Sequence, residues 1–257
     1  MAPTENPSFI LETRNLIKHF GGLTVANGIN FSMPVGELRC LIGPNGAGKT
    51  TFFNLLTGVI RPSKGNIFFR GKNITNIPSH KIARLGIARA YQVPNIYEGQ
   101  TVFENIRIAF QQKYEIFNPF ASSRRLDGIN DKVEEILNRF SLYSKRDIHA
   151  AKLAHGEKKR LELGITLACE PKLLLLDEPS AGLTTAETEE IIPVINDISS
   201  QKVSILVIEH DMKLVKQIAF SITVLHHGDI LFEGSPEEIE ANEDVRKVYL
   251  GGDQDWY

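Results

Sequence analysis

The stretch LRCLIGPNGAGKTTFFNLL, residues 38–56, predicts a buried strand, a glycine-rich turn and a helix in immediate succession. Its centre, GPNGAGKT at 43–50, fits the pattern G-x-x-x-x-G-K-[ST]. In that pattern glycines let backbone N–H groups face phosphate oxygens, and the helix N-terminus adds a favourable dipole. A glycine turn without a ligand is the alternative, which the flanking strand and helix disfavour. The stretch therefore predicts a nucleotide site in which Lys49 reaches the β and γ phosphates and the Thr50 hydroxyl holds Mg²⁺.

Apolar runs alternate with amphipathic stretches of helix length on both sides of this turn, which is typical of a parallel sheet covered by helices. Strands are predicted at residues 38–42, 87–91, 173–177 and 204–208, and helices at 49–57, 79–85, 185–198 and 212–218. Three more strands, at 11–18, 28–33 and 65–69, are predicted to be joined by Gly- and Pro-containing turns with no helix between them. The fold class is therefore α/β, with an antiparallel β patch flanking the parallel sheet.

The strand pattern fades between residues 93 and 168. Helices are predicted there at 102–111, 131–140 and 156–168, and a loop at 114–128 because that segment carries Pro, Ser and aromatic residues. We therefore predict one domain over 1–257, with a nucleotide-binding core from 1–92 and 169–257 and a helical subdomain at 93–168. The amphipathic segment 236–250 precedes a loose tail at 251–257.

The composition argues against a disordered protein, a strongly basic nucleic-acid binder and a chain that itself spans a membrane. With 42% hydrophobic residues, 23% charged residues and a formal net charge of -2, the 257-residue chain resembles neither a disordered protein nor a strongly basic nucleic-acid binder. We expect no nucleic-acid partner. No apolar run approaches the ~20 residues that a membrane helix needs, so a membrane role has to come through a partner. Cys40 and Cys169 lie in apolar stretches and are predicted to be buried thiols in a reducing compartment.

Two acidic residues follow an apolar run in LLLLDEPSAGL, residues 173–183. Asp177 and Glu178 are thus predicted at the carboxyl end of a buried strand, where open α/β sheets bind ligands. Asp177 suits Mg²⁺, held directly or through water, and Glu178 is placed to orient and deprotonate a water in line with the γ-phosphate. A cap or salt bridge is the alternative role for Asp177, and the phosphate loop upstream disfavours it.

Four further motifs resemble those of ABC ATPases. Tyr91-Gln92 resembles the Q-loop, LAHGE at 153–157 the signature, residues 180–184 the D-loop, and VIEHDM at 207–212 places His210 as the switch histidine. The motifs occur in the order of that family, and the resemblance covers nearly the whole chain. It implies a P-loop NTPase core of the RecA-like type with a helical subdomain, the ABC ATPase fold.

The resemblance also implies roles for single residues. Phe20 would stack on adenine, Gln92 would contact Mg²⁺ and the attacking water, and His210 would hydrogen-bond the γ-phosphate and hold Glu178 in line. Taken alone, such residues are more often a core Phe, a surface Gln and a structural His. The catalytic residues would be Glu178, His210, Gln92 and Lys49, and the metal ligands would be Thr50, Gln92 and Asp177. The nucleotide would contact Phe20, Gly43, Asn45, Gly46, Ala47, Gly48, Lys49, Thr50 and Thr51 of one subunit. Across a dimer, it would also contact Ala154, His155 and Gly156 of the other subunit.

Two motifs depart from the family pattern. The usual signature is LSGGQ, so Ala154 lacks a serine hydroxyl whose bond to a charged acceptor is worth about 1 to 3 kcal/mol. Thr184 stands in the D-loop where many relatives have Asp. We interpret the Ala154 departure as subfamily character, whereas Thr184 predicts a weaker cross-dimer link and leaves the role of Glu178 unchanged.

Other segments resemble the ATP subunits of branched-chain amino-acid importers: FGG at 20–22, EPSAGL at 178–183, IEHDM at 208–212 and EDVRKVYLG at 243–251. Urea and short-amide importers and lipopolysaccharide-export ATPases are similar. The resemblance implies two MgATP molecules in a head-to-tail dimer, formed with a second copy or a homologous ATPase. It also implies transmembrane permease subunits, a substrate-binding protein, and a peripheral position on the cytoplasmic face of the inner or plasma membrane.

Three alternatives remain. An export subunit for lipopolysaccharide or another lipid would differ in its membrane partner. A soluble ABC ATPase of DNA repair or translation would normally carry a long coiled-coil insertion or two cassettes, and the sequence has neither. A P-loop small-molecule kinase is disfavoured by Glu178 and His210.

Overall fold

The computed structural model describes residues 8–114 and 123–250. The strands are β1 Phe9–Phe20, β2 Leu23–Pro34, β3 Leu38–Ile42, β4 Lys64–Phe69, β5 Lys72–Asn73, β6 Ile87–Ala90, β7 Leu173–Asp177, β8 Ser204–Ile208, β9 Ser221–His226 and β10 Asp229–Gly234. The helices are α1 Lys49–Leu56, α2 Ser79–Leu85, α3 Val102–Lys113, α4 Ser123–Arg139, α5 His155–Ala168, α6 Thr185–Ser200, α7 Met212–Ile218, α8 Pro236–Ala241 and α9 Glu243–Leu250.

The larger sheet has the strand order β10-β9-β3-β8-β7-β6, and β9, β3, β8, β7 and β6 run parallel. The four predicted parallel strands are present, and only β6 differs in length, ending at Ala90 rather than at residue 91. Since the carboxyl ends of parallel strands meet at one edge, the loops after β3, β6, β7 and β8 face the same side of the sheet. These loops and the strand end at Asp177 carry most of the predicted site residues, whereas Phe20 lies at the end of β1 and residues 154–156 at the start of α5.

The smaller sheet is antiparallel, with the order β2-β1-β4-β5. It confirms the predicted β patch, although β1 and β2 are 12 residues each and so longer than predicted. The prediction of no intervening helix is right only for β1 and β2, because β3 and α1 precede β4. The hairpin of β9 and β10 was not predicted; β10 alternates exposed and half-buried residues, which weakens its pattern.

The apolar run of β7 supplies both hydrophobic cores. Leu174 and Leu176 pack on the side of α3, α4 and α5, whereas Leu173 and Leu175 pack on the side of α1 and the antiparallel sheet. All four leucines are fully buried. Because side chains of a strand alternate between faces, a run that is apolar at every position is anchored from both sides. The residues that follow Leu176 are therefore held firmly.

The region after β6 is helical, with one correction. Helix α4 begins at Ser123, so residues 123–128 are helical where a loop was predicted at 114–128; residues 115–122 lie outside the described part. Helix α3 begins where Thr101 accepts a hydrogen bond from the Glu104 N–H. Segment 236–250 divides into α8 and α9 at Asn242. The predicted tail at 251–257 lies outside the described residues.

Candidate functional site

The glycine loop, residues 43–48, joins β3 to α1 and depends on two of its glycines for space. A Cβ at Gly43 would lie 2.1 Å from the carbonyl oxygen of Leu225, and a Cβ at Gly48 would lie 2.6 Å from that of Val25. Both glycines have positive φ, +153° and +104°. At Gly46, φ is +81° but the space is open. Close backbone contact therefore fixes the two ends of the loop.

Helix α1 leaves its first amides available. Its N-cap is Gly48, which offers no side-chain cap, and the first-turn N–H groups of Lys49, Thr50 and Thr51 have no partner within the helix. Uncapped N–H groups and the helix dipole together favour an anion. Asn45, Gly46 and Thr50 are exposed, whereas Ala47 is buried. The loop thus fits phosphate groups.

Lys49 places a cation inside the loop. Its Nζ donates hydrogen bonds to the carbonyl oxygens of Gly43 at 2.5 Å and Pro44 at 3.2 Å. Burial lowers the pKa of Lys49, while the nearby carboxylates of Glu178 and Asp177 oppose that change. The ammonium is therefore partly desolvated and lies close to both acidic residues, as a phosphate-binding lysine requires.

Glu178 connects two of the loops. Its Oε2 accepts a hydrogen bond from Gln92 Nε2 at 2.8 Å, and its Oε1 lies 2.6 Å from His210 Nε2. Its backbone is left-handed, with φ 50°, and its N–H donates to Ile208 O at 2.9 Å. A non-glycine residue in this conformation costs of order 1–3 kcal/mol, and such strain concentrates at functional sites. The structure thus brings together three residues predicted to be catalytic.

Asp177 contacts a residue that sequence reasoning missed. Its Oδ2 accepts a hydrogen bond from Arg89 Nη2, and Arg89 Nη1 donates to Asn54 Oδ1 at 2.7 Å. The Arg89 and Asp177 side chains are only 6% and 8% exposed. The signal was available, because a charged residue inside the buried strand sequence IARA requires a partner.

Two further missed residues hold the Gln92 loop, residues 91–95. Lys159 Nζ donates to the carbonyl oxygens of Tyr91 at 3.0 Å and Gln92 at 2.5 Å. Glu162 Oε1 accepts from the N–H groups of Tyr91 at 2.9 Å and Asn95 at 3.3 Å. Burial raises the pKa of Glu162 and lowers that of Lys159. Both come from α5, where polar residues on a buried face were the available signal.

Glu209 is a fourth missed residue. It is 1% exposed, and its carboxylate accepts from the N–H groups of Ser180 at 2.9 Å, His210 at 2.8 Å and Asp211 at 3.2 Å. One buried side chain therefore ties the loop after β7 to the loop after β8. This contact fixes the backbone from which His210 extends toward Glu178.

The LAHGE loop lies at the start of α5, and its hydrogen bonds join it to α5, α6 and the D-loop. The Ala154 N–H donates to Glu157 Oε2 at 3.0 Å, and the Gly156 N–H donates to Glu187 Oε1 at 3.2 Å. His155 Nε2 lies 3.4 Å from Ala181 O. Thr184 is the N-cap of α6, with its Oγ1 accepting from the Glu187 N–H. Residues 154–156 are thus linked to the D-loop of the same chain.

Phe20 lies at the hairpin between β1 and β2, paired with Leu23. The Phe20 residue is 48% exposed, and Lys18 Nζ lies 4.8 Å from its ring centroid. An aromatic ring this exposed is available for stacking.

The side chains that the structure describes do not on their own provide a complete set of ligands for Mg²⁺. The described residues, 8–114 and 123–250, hold no group of three or more His, Cys, Asp or Glu residues suited to a metal ion. The predicted metal-binding side chains of Thr50, Gln92 and Asp177 all offer oxygen, which is the donor that Mg²⁺ prefers. The donor type fits Mg²⁺, and phosphate oxygens have to supply further ligands.

Comparison with known proteins agrees with this geometry. A model of the ABC transporter family matches residues 26–181. The chain belongs to the ABC transporter ATPase family. A model described as branched-chain amino acid ATP-binding cassette transporter matches residues 230–255 of this ABC ATPase. The family match confirms the predicted resemblance and identifies the chain as an ATPase subunit of a transporter.

Individual relatives of this ABC ATPase match nearly its whole length. The high-affinity branched-chain amino acid transport ATP-binding protein LivG of Escherichia coli strain K12 is 37% identical over 249 residues, which cover 94% of this chain and 98% of LivG. The lipopolysaccharide export system ATP-binding protein LptB of Acidithiobacillus ferridurans is 32% identical, covering 95% and 98%. A crystal structure of an ABC transporter ATP-binding cassette in its ADP conformation superposes with a TM-score of 0.81 at 28% identity, covering 95% and 99%. This structural likeness confirms the predicted ABC ATPase fold.

Among the described residues of this ABC ATPase, no helix combines the length and the apolar character needed to cross a bilayer.

Proposed function

We propose that this ABC ATPase hydrolyses MgATP with Glu178 as the general base. The observation that carries the proposal is the position of the Glu178 carboxylate, 2.8 Å from the Gln92 amide and 2.6 Å from the His210 ring. Glu178 takes a proton from water as the water oxygen bonds to the γ-phosphorus and the bond to the leaving ADP oxygen breaks. His210 and Gln92 hold that carboxylate in one orientation.

We propose the remaining roles on the geometry of the glycine loop and on the predicted motifs. The uncapped α1 amides and the Lys49 ammonium bind the phosphate chain, and Phe20 stacks on the adenine. Thr50, Gln92 and Asp177 hold Mg²⁺, which when bound neutralises charge on the phosphate oxygens. The proposed nucleotide-binding residues are Gly43, Asn45, Gly46, Ala47, Gly48, Lys49, Thr50 and Thr51.

We propose a head-to-tail dimer in which Ala154, His155 and Gly156 of one subunit face the nucleotide of the other. The support is that Ala154, His155 and Gly156 have hydrogen-bond partners at Glu157, Ala181 and Glu187, and that no hydrogen bond among the described residues joins 154–156 to the glycine loop of the same chain. The second subunit is a copy of this chain or a homologous ATPase. The helical subdomain at 93–168, separate from the core at 1–92 and 169–257, then couples ATP hydrolysis to transmembrane permease subunits.

Substitution of Glu178 tests the mechanism. Glu178→Gln should retain ATP binding and lose phosphate release, because the amide is a poor base. Glu189→Gln, on an exposed position of α6, is the matched control and should keep wild-type turnover. Wild-type phosphate release by Glu178→Gln would rule out the base assignment.

Substitution of Lys49 tests the phosphate site separately. Lys49→Ala should weaken ATP binding, measured by calorimetry, because it removes the buried cation between the glycine loop and the two carboxylates. Unchanged ATP affinity in this variant would contradict the phosphate role of the loop.

For the cargo, we propose import of branched-chain amino acids, or of related small polar solutes such as urea and amides. The match at residues 230–255 and the likeness to LivG support it. The chain would act with permease subunits and a substrate-binding protein at the cytoplasmic face of the membrane. The likeness to LptB supports lipopolysaccharide export as a second candidate.

The copurified membrane complex separates these candidates. After reconstitution in vesicles, ATP-dependent uptake of labelled leucine supports amino-acid import, and uptake of labelled urea or acetamide supports the related importers. ATP-dependent extraction of lipopolysaccharide without solute uptake would overturn import in favour of export.

A further inference from the structure

The guanidinium of Arg89 is the buried cation closest to the proposed metal-binding carboxylate. Arg89 belongs to β6 and pairs in register with Leu175 of the neighbouring strand β7. Leu175 lies two residues before Asp177. Arg89 and Asp177 form a salt bridge with side chains that are 6% and 8% exposed. An ion pair so little exposed to water is screened much less than a surface pair. Arg89 therefore acts strongly on the charge of Asp177.

The surroundings hold this guanidinium at Asp177. Its Nη1 donates to Asn54 Oδ1 at 2.7 Å, and its Cζ lies 4.7 Å from the Tyr91 ring centroid and 5.6 Å from that of Phe53. Its Nε has no hydrogen-bond partner among the described residues. Two rings and one amide thus position Arg89, while its polar bonds are only partly satisfied. The main effect of the Arg89 guanidinium at this position is therefore the positive charge that it places beside Asp177.

The Arg89–Asp177 ion pair affects how strongly Asp177 can bind a divalent cation. A carboxylate that already pairs with a fixed positive charge attracts a second cation less, because the two cations repel each other at close range. Nucleotide phosphates bring negative charge of their own, so they can offset that repulsion. The pair therefore disfavours a divalent cation alone and permits one that arrives with the phosphates.

We propose that Arg89 is a positioning residue that makes divalent-cation binding at Asp177 depend on the nucleotide. In the nucleotide-free protein Arg89 neutralises Asp177 and keeps its carboxylate in one rotamer. This inference rests on the proposed role of Asp177 as a metal ligand. A solely structural salt bridge between β6 and β7 would stabilise the fold without changing cation affinity.

Binding of Mn²⁺ to the full chain, followed by electron paramagnetic resonance with and without ATP, tests the proposal. Arg89→Gln should bind Mn²⁺ without nucleotide at least about tenfold more tightly than the wild type, since removing a neighbouring charge changes interactions by this order. Arg89→Lys, which keeps the charge, should behave as the wild type. Arg84→Gln, at an exposed position of α2, is the control and should change nothing.

A second variant guards against misfolding of Arg89→Gln. Asn54→Ala removes one anchor of the guanidinium and leaves the ion pair in place, so it should raise nucleotide-free Mn²⁺ affinity by a smaller factor. If both variants are folded and neither changes that affinity by more than about twofold, the proposal for Arg89 is overturned. If Arg89→Gln does not fold, an unchanged affinity in Asn54→Ala overturns it.

Asp177→Asn separates this inference from the metal role on which it rests. The Mn²⁺ binding gained by Arg89→Gln should disappear in the Arg89→Gln, Asp177→Asn double variant. If Asp177→Asn alone leaves ATP-dependent Mn²⁺ binding unchanged, the metal role of Asp177 fails. If Asp177→Asn abolishes that binding while Arg89→Gln gains none without ATP, the metal role stands and the role of Arg89 fails.

Discussion

The glycine loop, residues 43–48, and the Gln92 loop, residues 91–95, follow parallel strands and face the same edge of the sheet, but different forces hold them. The glycine loop is fixed by its own backbone, which passes close to the carbonyl oxygens of Leu225 and Val25. The Gln92 loop is held by two buried side chains of α5, and Lys159 lies 67 residues after the carbonyl it contacts. Both loops meet distant parts of the chain, but the glycine loop needs only residues without a Cβ, which its own sequence supplies. The Gln92 loop instead depends on the side chains of a distant helix.

The largest expected effect comes from filling the glycine loop. Gly43→Ala places a methyl group 2.1 Å from a backbone oxygen at a φ of +153°. We expect a loss of about 3 to 5 kcal/mol in the free energy of unfolding, from overpacking and backbone strain together. Urea denaturation measures it.

The matched control is Gly46→Ala, where φ is +81° but nothing lies within 4 Å. Only strain is added there, so the loss should be about 1 to 2 kcal/mol. Equal losses in the two alanine variants would contradict close backbone contact as the factor that fixes the loop.

The second effect tests the side-chain support of the Gln92 loop. Glu162→Ala leaves the partly buried N–H groups of Tyr91 and Asn95 without their acceptor, and each such unpaired group costs about 1 to 2 kcal/mol, in the lower part of the range for fully buried groups. We expect a total loss of about 2 to 4 kcal/mol in urea denaturation, with faster hydrogen exchange at amides 91 and 95. Glu162→Gln retains an oxygen acceptor and should lose little. Similar losses in both variants would show that the acceptor is unimportant.

Lys159→Met should have a smaller effect. It leaves the carbonyl oxygens of Tyr91 and Gln92 unpaired but removes the cost of burying an ammonium, so the net loss should be about 1 to 2 kcal/mol. Lys158→Met, next in sequence and paired with the exposed Glu98, should change stability by less than about 0.5 kcal/mol. A larger loss at Lys158 than at Lys159 would contradict the proposed support.

The smallest effect is a pH dependence. Burial raises the pKa of Glu162, against the N–H of Tyr91 and the charge of Lys159. A carboxyl whose pKa is raised on folding contributes stability below its unfolded value of about 4.3, and that contribution is lost as pH rises through the folded pKa. Glu162→Gln lacks this loss, so its stability relative to the wild type should increase as the pH rises from about 4.3 towards neutral. A constant difference in urea denaturation over this range would rule it out.

Local patterns predicted much of this molecule because they reflect local physics. The run LLLLDE predicts strand β7 and places Asp177 and Glu178 at its carboxyl end. The run GPNGAGKT predicts the glycine turn and a helix α1 without a side-chain cap. The errors also have local causes. The Pro, Ser and aromatic residues of 114–128 outweighed the helical pattern of 123–128, and the half-exposed β10 lacked a clear apolar run.

The sequence by itself determined the family, the order of the motifs and the position of the glycine loop, because motifs and glycines are recognised from residues adjacent in the chain. Only the tertiary structure decided that Arg89 pairs with Asp177, that Lys159 and Glu162 hold the Gln92 loop, and that Glu209 joins the loops after β7 and β8. The physical reason is that a buried charge must find a partner in three dimensions. The identity of that partner is set by how the strands and helices pack.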